Sequence, residues 1–177
     1  MELVKIFDMR APAFGAPCSE VFAAALDIAA WADEIGFDVL GLGEHHGADD
    51  GYNPSPLVLG SAFAARTRRI HLRTAVLLAS CYDPVRLAED TAVLQILSNG
   101  RFELGLGFGY RRSELAMYGR RVEDRFAFAD IDANWFLEVD MRPGLEGGDG
   151  LQRGLHLRAR RVHPRARASA GCDRPGL

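Results

Sequence analysis

The feature that most constrains the fold is a repeated exchange of short apolar segments with amphipathic ones through residues 1–127. Leu3–Phe7 has strand character. Val21, Phe22, Ala25, Ile28, Ala29, Ala32 and Ile35 then recur at helical spacing behind Ser19, a residue able to cap a helix. Gly36 stands where that helix would stop. Phe37–Gly43 reads as a buried strand, Leu57–Ala65 as a shorter helix and Ile70–Leu78 as a third strand. Asp83-Pro84 joins a capping side chain to a proline suited to the first helical position. The helix behind it is expected to bury Leu87, Thr91, Leu94 and Leu97, and Asn99-Gly100 ends it. Arg101–Gly105 begins a fourth strand that runs into the glycine-rich Gly105–Tyr110. Strands separated by helices imply a parallel sheet, because parallel neighbours need a crossover. Alternation alone leaves open whether the sheet closes into a barrel or stays open and doubly wound.

The pattern stops near residue 128, which divides the chain into a regular part, 1–127, and an irregular part, 128–177. Asp130–Asp140 is expected to add a helical turn or two, with Trp135, Phe136 and Val139 as its apolar face. Met141–Leu177 holds 8 Arg, 7 Gly and 3 Pro and is expected to be coil, since such a composition buries too little apolar area to offset chain entropy. Residues 151–177 carry 7 Arg against the single acid Asp173. That charge could attract nucleic acid, but no aromatic residue lies among them to stack on a base, which argues against it.

The net charge of −3, 48% hydrophobic and 25% charged residues are those of an ordinary globular chain, which excludes a disulfide scaffold or a wholly disordered chain. No apolar run approaches the ~20 residues of a membrane span, and the first residues lack the pattern of a secretion signal. Cys18, Cys81 and Cys172 are odd in number and far apart, so a reducing cytoplasm is the expected location.

In parallel α/β folds ligands bind beyond the carboxyl ends of the strands. Three unusual segments fall there: Glu44-His45-His46, Ala79-Ser80-Cys81 and the run Gly105–Tyr110. Adjacent residues of an extended segment point to opposite sides, so at most one of His45 and His46 faces a shared pocket. An imidazole there suits proton transfer; the plainer reading is one packed and one solvated histidine. A metal centre needs three or four ligands at compatible spacing, and two of the five histidines, His156 and His163, lie in the irregular part. Gly105, Gly107 and Gly109 allow close approach to a flat ring or a phosphate, or simply give a tight strand room. Tyr110 stands where a dinucleotide fingerprint would place its third glycine. Arg125 either pairs with Glu123 and Asp124 or reaches a phosphate.

Taken in order, several motifs resemble the bacterial-luciferase-like flavin-dependent monooxygenases through about residue 127. They are Glu34-Ile35-Gly36-Phe37-Asp38 with Glu44-His45-His46, Ala65-Arg66-Thr67 with Arg69-Ile70, and Thr74-Ala75-Val76 ahead of Asp83–Asp90. Leu97–Phe102 leading into Gly105-Leu106-Gly107, and Tyr118-Gly119 with Asp124-Arg125, continue the series. The resemblance implies part of a (β/α)8 TIM barrel, about four βα units, with reduced FMN or F420 as cofactor and no metal. It implies that His45 is the catalytic histidine and that Glu44, Ala75, Gly107, Tyr110 and Arg125 bind the cofactor. It implies a bulge at Thr74-Ala75-Val76, in some members with a non-proline cis peptide. It implies a small-molecule substrate with O2 and association through helices 57–65 and 84–98, without a membrane.

Gln95 departs from the family's usual Asp, and Phe108 stands where luciferase has a phosphate-binding Arg. A whole barrel needs ~250 residues, so the regular part corresponds to about half of one. The Arg/Gly/Pro bias, as from GC-rich codons read out of frame, leads us to expect a truncated or frame-shifted copy with weak or no activity. A non-catalytic half-barrel that pairs with another chain, and an unrelated small α/β binding domain, are the alternative expectations.

Overall fold

The computed structural model describes residues 1–125 and, as backbone only, residues 135–140 and 156–161. β1 (Val4–Phe7), α1 (Cys18–Ile35), β2 (Val39–Leu42), α2 (Pro56–Arg66) and β3 (His71–Thr74) follow one another in the expected order. β4 (Leu77–Leu78), a 3₁₀ turn over Ala79–Cys81, α3 (Pro84–Leu97), β5 (Phe102–Glu103), β6 (Leu106–Gly107), α4 (Arg112–Met117) and a 3₁₀ turn over Val122–Asp124 complete the series. β1, β2, β3 and β5 form one parallel sheet in that order, and β4 pairs with β6 beyond it. This is the α/β architecture of part of a barrel.

The register explains which residues form the core. Phe7 is level with Leu42, Leu40 with Leu72, and Leu72 with Phe102, so these side chains share one face. The helices cover that face with Ala25, Ala29 and Ala32 of α1, Leu59 and Phe63 of α2, and Leu94 of α3. Phe7 and Phe63 meet at a ring separation of 4.8 Å. Each such buried Leu or Phe side chain contributes about 1.5–3 kcal/mol. The other face carries Ile6 of β1, which is 61% exposed, and ion pairs from Arg73 to Glu103 (2.6 Å) and to Glu2 (3.1 Å).

Local signals hold in most places. Gly36 caps α1 in the left-handed conformation at φ 93°. The Arg86 amide donates to Asp83 Oδ1 at 3.0 Å ahead of Pro84. The Phe102 amide donates to Gln95 Oε1 at 3.1 Å, a bond that ties the end of α3 to β5.

Other expectations need correction. Ser19 does not cap α1; the helix begins at Cys18, and the Pro17 carbonyl accepts from the Glu20 and Val21 amides instead. Ile28, Ile35 and Leu97 are exposed rather than buried. α1 meets the core through Ala25, Ala29 and Ala32, with Val21, Phe22 and Leu26 packed partly buried against it, while Ile28 and Ile35 lie off that stripe. The long third strand is broken in two, and the Ala75–Val76 peptide within the break is cis.

The expected helix over 130–140 is replaced, in its described part, by β7 (Trp135–Asp140), which pairs antiparallel with β8 (His156–Arg161) where coil was expected. Trp135, Leu137 and Val139 alternate in sequence, a period that suits a strand as well as a helix suits the triplet first read. The remaining residues of 126–177 lie outside the described set.

The turn into β3 hangs on one acid. Buried Asp33, near the end of α1, accepts from the amides of Arg68 (2.9 Å), Arg69 (2.9 Å) and Ile70 (2.7 Å). Burial alone would raise its carboxyl; the three amides and Arg69 outweigh that and hold it below the ordinary carboxylate range. Asp33→Ala should cost about 1–3 kcal/mol by leaving those donors unpaired. A carboxyl depressed by folding stabilises above its unfolded value and loses that contribution as pH falls through the folded one. The gap between wild type and variant in urea unfolding should therefore close on acidification below the ordinary carboxylate range.

Candidate active site

The carboxyl ends of β2, β3, β4 and β6 meet around a cavity of about 420 Å³. Gly43–His45, Tyr52, Ala75, Val76, Leu78, the run 107–110 and Arg125 line it. All six residues expected from the sequence, His45, Glu44, Ala75, Gly107, Tyr110 and Arg125, are therefore on one wall or another of a single space. A larger depression of about 610 Å³ lies at the amino ends of the strands around Glu2, Asp38, Arg69 and Glu103. Its charged groups are already engaged, Glu2 and Glu103 by Arg73, Asp38 by the Leu3 amide and Arg69 by the Asp33 carbonyl, and it holds no glycine run, so volume alone is a poor guide here.

Close backbone approach explains the glycines. A Cβ on Gly105 would lie 2.2 Å from the Thr74 carbonyl oxygen, and one on Gly107 would lie 2.5 Å from Val76 Cγ2. The Gly105 amide donates to Thr74 Oγ1 at 2.8 Å, and that hydroxyl donates back to the Gly105 carbonyl at 2.8 Å. Ala75 and Val76 are thus held against the glycine run. Phe108 also lines the cavity, and its carbonyl accepts from Ser80 Oγ at 2.9 Å.

The two histidines do diverge. His46 is buried, with Nε2 2.9 Å from Glu44 Oε1 and Nδ1 2.9 Å from the Tyr118 hydroxyl. His45 keeps a side-chain exposure of 25% at the cavity, with Nδ1 2.8 Å from Glu114 Oε1 and the Tyr52 ring edge-on at 4.8 Å. Nε2 is the His45 nitrogen left for the cavity. Glu44 borders the cavity while its oxygens serve the protein: the Leu78 amide donates at 2.5 Å and the Tyr82 hydroxyl at 2.7 Å, besides His46. Burial, then the Glu44 carboxylate, pushes the Tyr82 hydroxyl well up, so it stays a donor. Arg125 lines the cavity and donates from Nη1 to the Val122 carbonyl at 2.7 Å.

Residues 5–130 match the family model described as luciferase-like monooxygenase. The chain belongs to that family. Within it, the chain is 38% identical over 94 residues to the 4-hydroxyprotoasukamycin monooxygenase of Streptomyces nodosus subsp. asukaensis, covering 53% of this chain and 25% of that protein. It is 34% identical over 109 residues to the F420-dependent glucose-6-phosphate dehydrogenase of Amycolatopsis mediterranei, covering 58% and 33%. The monooxygenase RslO1 of Streptomyces bottropensis superposes with a TM-score of 0.72 at 27% identity, covering 90% of this chain and 48% of that one. The match thus spans a quarter to a half of the length of these luciferase-like relatives. Among the described residues no helix is long and apolar enough to cross a membrane.

Sequence reasoning did not single out Glu114, Tyr52 or Tyr82. Tyr52 sits in the polar loop after His46, where its aromatic character was the available signal. Glu114 follows the glycine run on the short α4 and meets His45 across 69 positions, with no spacing rule to connect them.

Cys81 closes the account of nucleophiles. Burial, then Glu44 and Glu114, pushes its thiol up to about 12. At pH 8 only about one molecule in ten thousand would carry the thiolate, the form that reacts. Iodoacetamide at that pH should label exposed Cys18 well before Cys81, as read by peptide mass spectrometry; comparable rates would show that Cys81 is activated.

Proposed function

We propose that this chain carries the cofactor-binding part of a flavin-dependent oxidoreductase site, with reduced FMN or F420 in the 420 Å³ cavity. The observation that carries the reading is the convergence of His45, Ala75-Val76, the glycine run and Arg125 on one space. The donor set fits the group. Ala75, Val76, Leu78 and Gly107 give a wall poor in polar atoms for a flat ring, and Arg125 and Tyr110 offer an anion donors. The names of the relatives, one a monooxygenase and one an F420-dependent dehydrogenase, support the reaction class and leave both cofactors in play.

A bound reduced flavin would supply the electrons, to O2 or to a small organic substrate. The chain's share is to bind, to exclude water and to handle the proton. His45 would hold or accept that proton at Nε2. Glu44 would keep the wall in place by gripping Leu78, His46 and Tyr82.

A second reading has its own support. Ile6 is 61% exposed on the uncovered sheet face, and β1 and β5 are edges of their sheet. These features favour work alongside another chain or copy. Helices 57–65 and 84–98 also present Val58 (72% exposed) and Val85 (66%) as an association surface. Light scattering should then report an oligomer, and a sharp monomer would remove this support.

The roles separate by mutation. Arg125→Ala should weaken FMN or F420 binding by about 1.5–3 kcal/mol, the value of a charge-assisted bond. His45→Ala should leave binding near wild type and impair any flavin-dependent oxidation. Fluorescence titration of each cofactor against the three proteins, followed by an oxidation assay, tests both. Equal loss of binding in the two variants would refute the assignment, and no binding by wild type would refute the reading.

A further inference from the structure

We infer that Glu114 is a positioning residue that sets the tautomer of His45, placing the proton on Nδ1 and presenting Nε2 to the cavity as a base. Glu114 is the third residue of α4 and is 2% exposed. Its Oε1 lies 2.8 Å from His45 Nδ1 and accepts from the His46 amide at 3.4 Å, with Arg111 Nη1 at 3.6 Å. An ionised carboxylate can only accept, so the imidazole nitrogen facing it must carry the hydrogen. The other nitrogen then holds its lone pair free.

The neighbouring histidine provides a contrast on the same strand end. Both His46 nitrogens are engaged, by Glu44 and Tyr118, so it has none to offer a ligand. His45 has one engaged and one facing the cavity, and the Tyr52 ring stands edge-on against it at 4.8 Å, which restricts rotation of the imidazole. Two carboxylates thus hold two adjacent imidazoles for different purposes. An acid that orients a base is the general arrangement behind an activated proton acceptor.

This inference deepens the proposed function and rests on its placing His45 at the cofactor, but its test needs no cofactor. Long-range ¹H–¹⁵N correlation of the histidine rings, on the full chain at a pH where the imidazole is neutral, reads the tautomer directly. His45→Gln assigns the signals by their loss. In wild type, His45 should show a pyrrole-type Nδ1 and a pyridine-type Nε2. In Glu114→Met the pyrrole-type Nδ1 signal should be lost in favour of the Nε2–H form that free imidazole prefers, while His46 keeps its own pattern. An Nε2–H form in wild type would overturn the inference, and so would an unchanged His45 in folded Glu114→Met. If that variant does not fold, the wild-type spectrum alone decides. Correct tautomers without flavin binding would instead overturn the proposed function and leave the role of Glu114 standing.

Discussion

The buried Glu44 carboxylate is the interaction on which the site depends. Its side chain has no exposed surface, and it takes donors from the Leu78 amide, the Tyr82 hydroxyl and the His46 ring. A buried charge is costly unless each lone pair finds a partner. Here the partners come from three separate segments: the residues just after β2, the last residue of β4, and the loop before α3. Satisfying the acid therefore fixes the relative position of those segments. It sends His46 inward and leaves His45 on the cavity side. The same contact keeps Leu78 beside Gly107, its register partner across β4 and β6.

The layout was legible in the sequence because it rests on periodic and local signals. Helical spacing, Gly36, Asp83-Pro84 and Asn99-Gly100 each act within a few residues, and together they order the strands. Once the strand ends are known to share a face, Glu44, His45 and the glycine run must meet. What was not legible depends on distance between elements. Ile28, Ile35 and Leu97 look like core residues on a helical wheel, yet how closely a helix approaches a sheet decides which of several apolar stripes is buried. Asp33 and Glu114 gain their meaning only from donors far away in the chain. The break at Ala75-Val76 was expected through family resemblance and not through periodicity, which reads the segment as one strand.

Parallel sheets are usually covered on both faces, and among the described residues helices cover this one on one face. On the other, which also carries Ile6, Arg73 forms ion pairs with Glu103 and Glu2, and His71 Nδ1 lies 2.9 Å from Glu103 Oε1. Exposed pairs of this kind contribute little to stability, about 0–1 kcal/mol each. The covered face thus carries nearly all of the packing energy, while the uncovered face holds charges in register without needing them. Enclosure by further protein would raise the importance of those pairs, because each charge would then depend on its partner for solvation. The open face is for this reason the part of the fold most sensitive to what surrounds it, and the cavity at the strand ends is less so.

That difference bears on where chemistry can reside. The cavity wall is built from backbone contacts, Gly105 against Thr74 and Gly107 against Val76, and from carboxylates whose partners all lie within residues 1–125. None of these contacts draws on the uncovered face. A site assembled in this way keeps its geometry whether or not the sheet is enclosed, whereas exclusion of water from the cavity depends on the enclosure. Orientation of His45 and exclusion of water are thus separable properties of this fold. The first belongs to Glu114, Tyr52 and the short α4, and the second to whatever covers the mouth of the cavity.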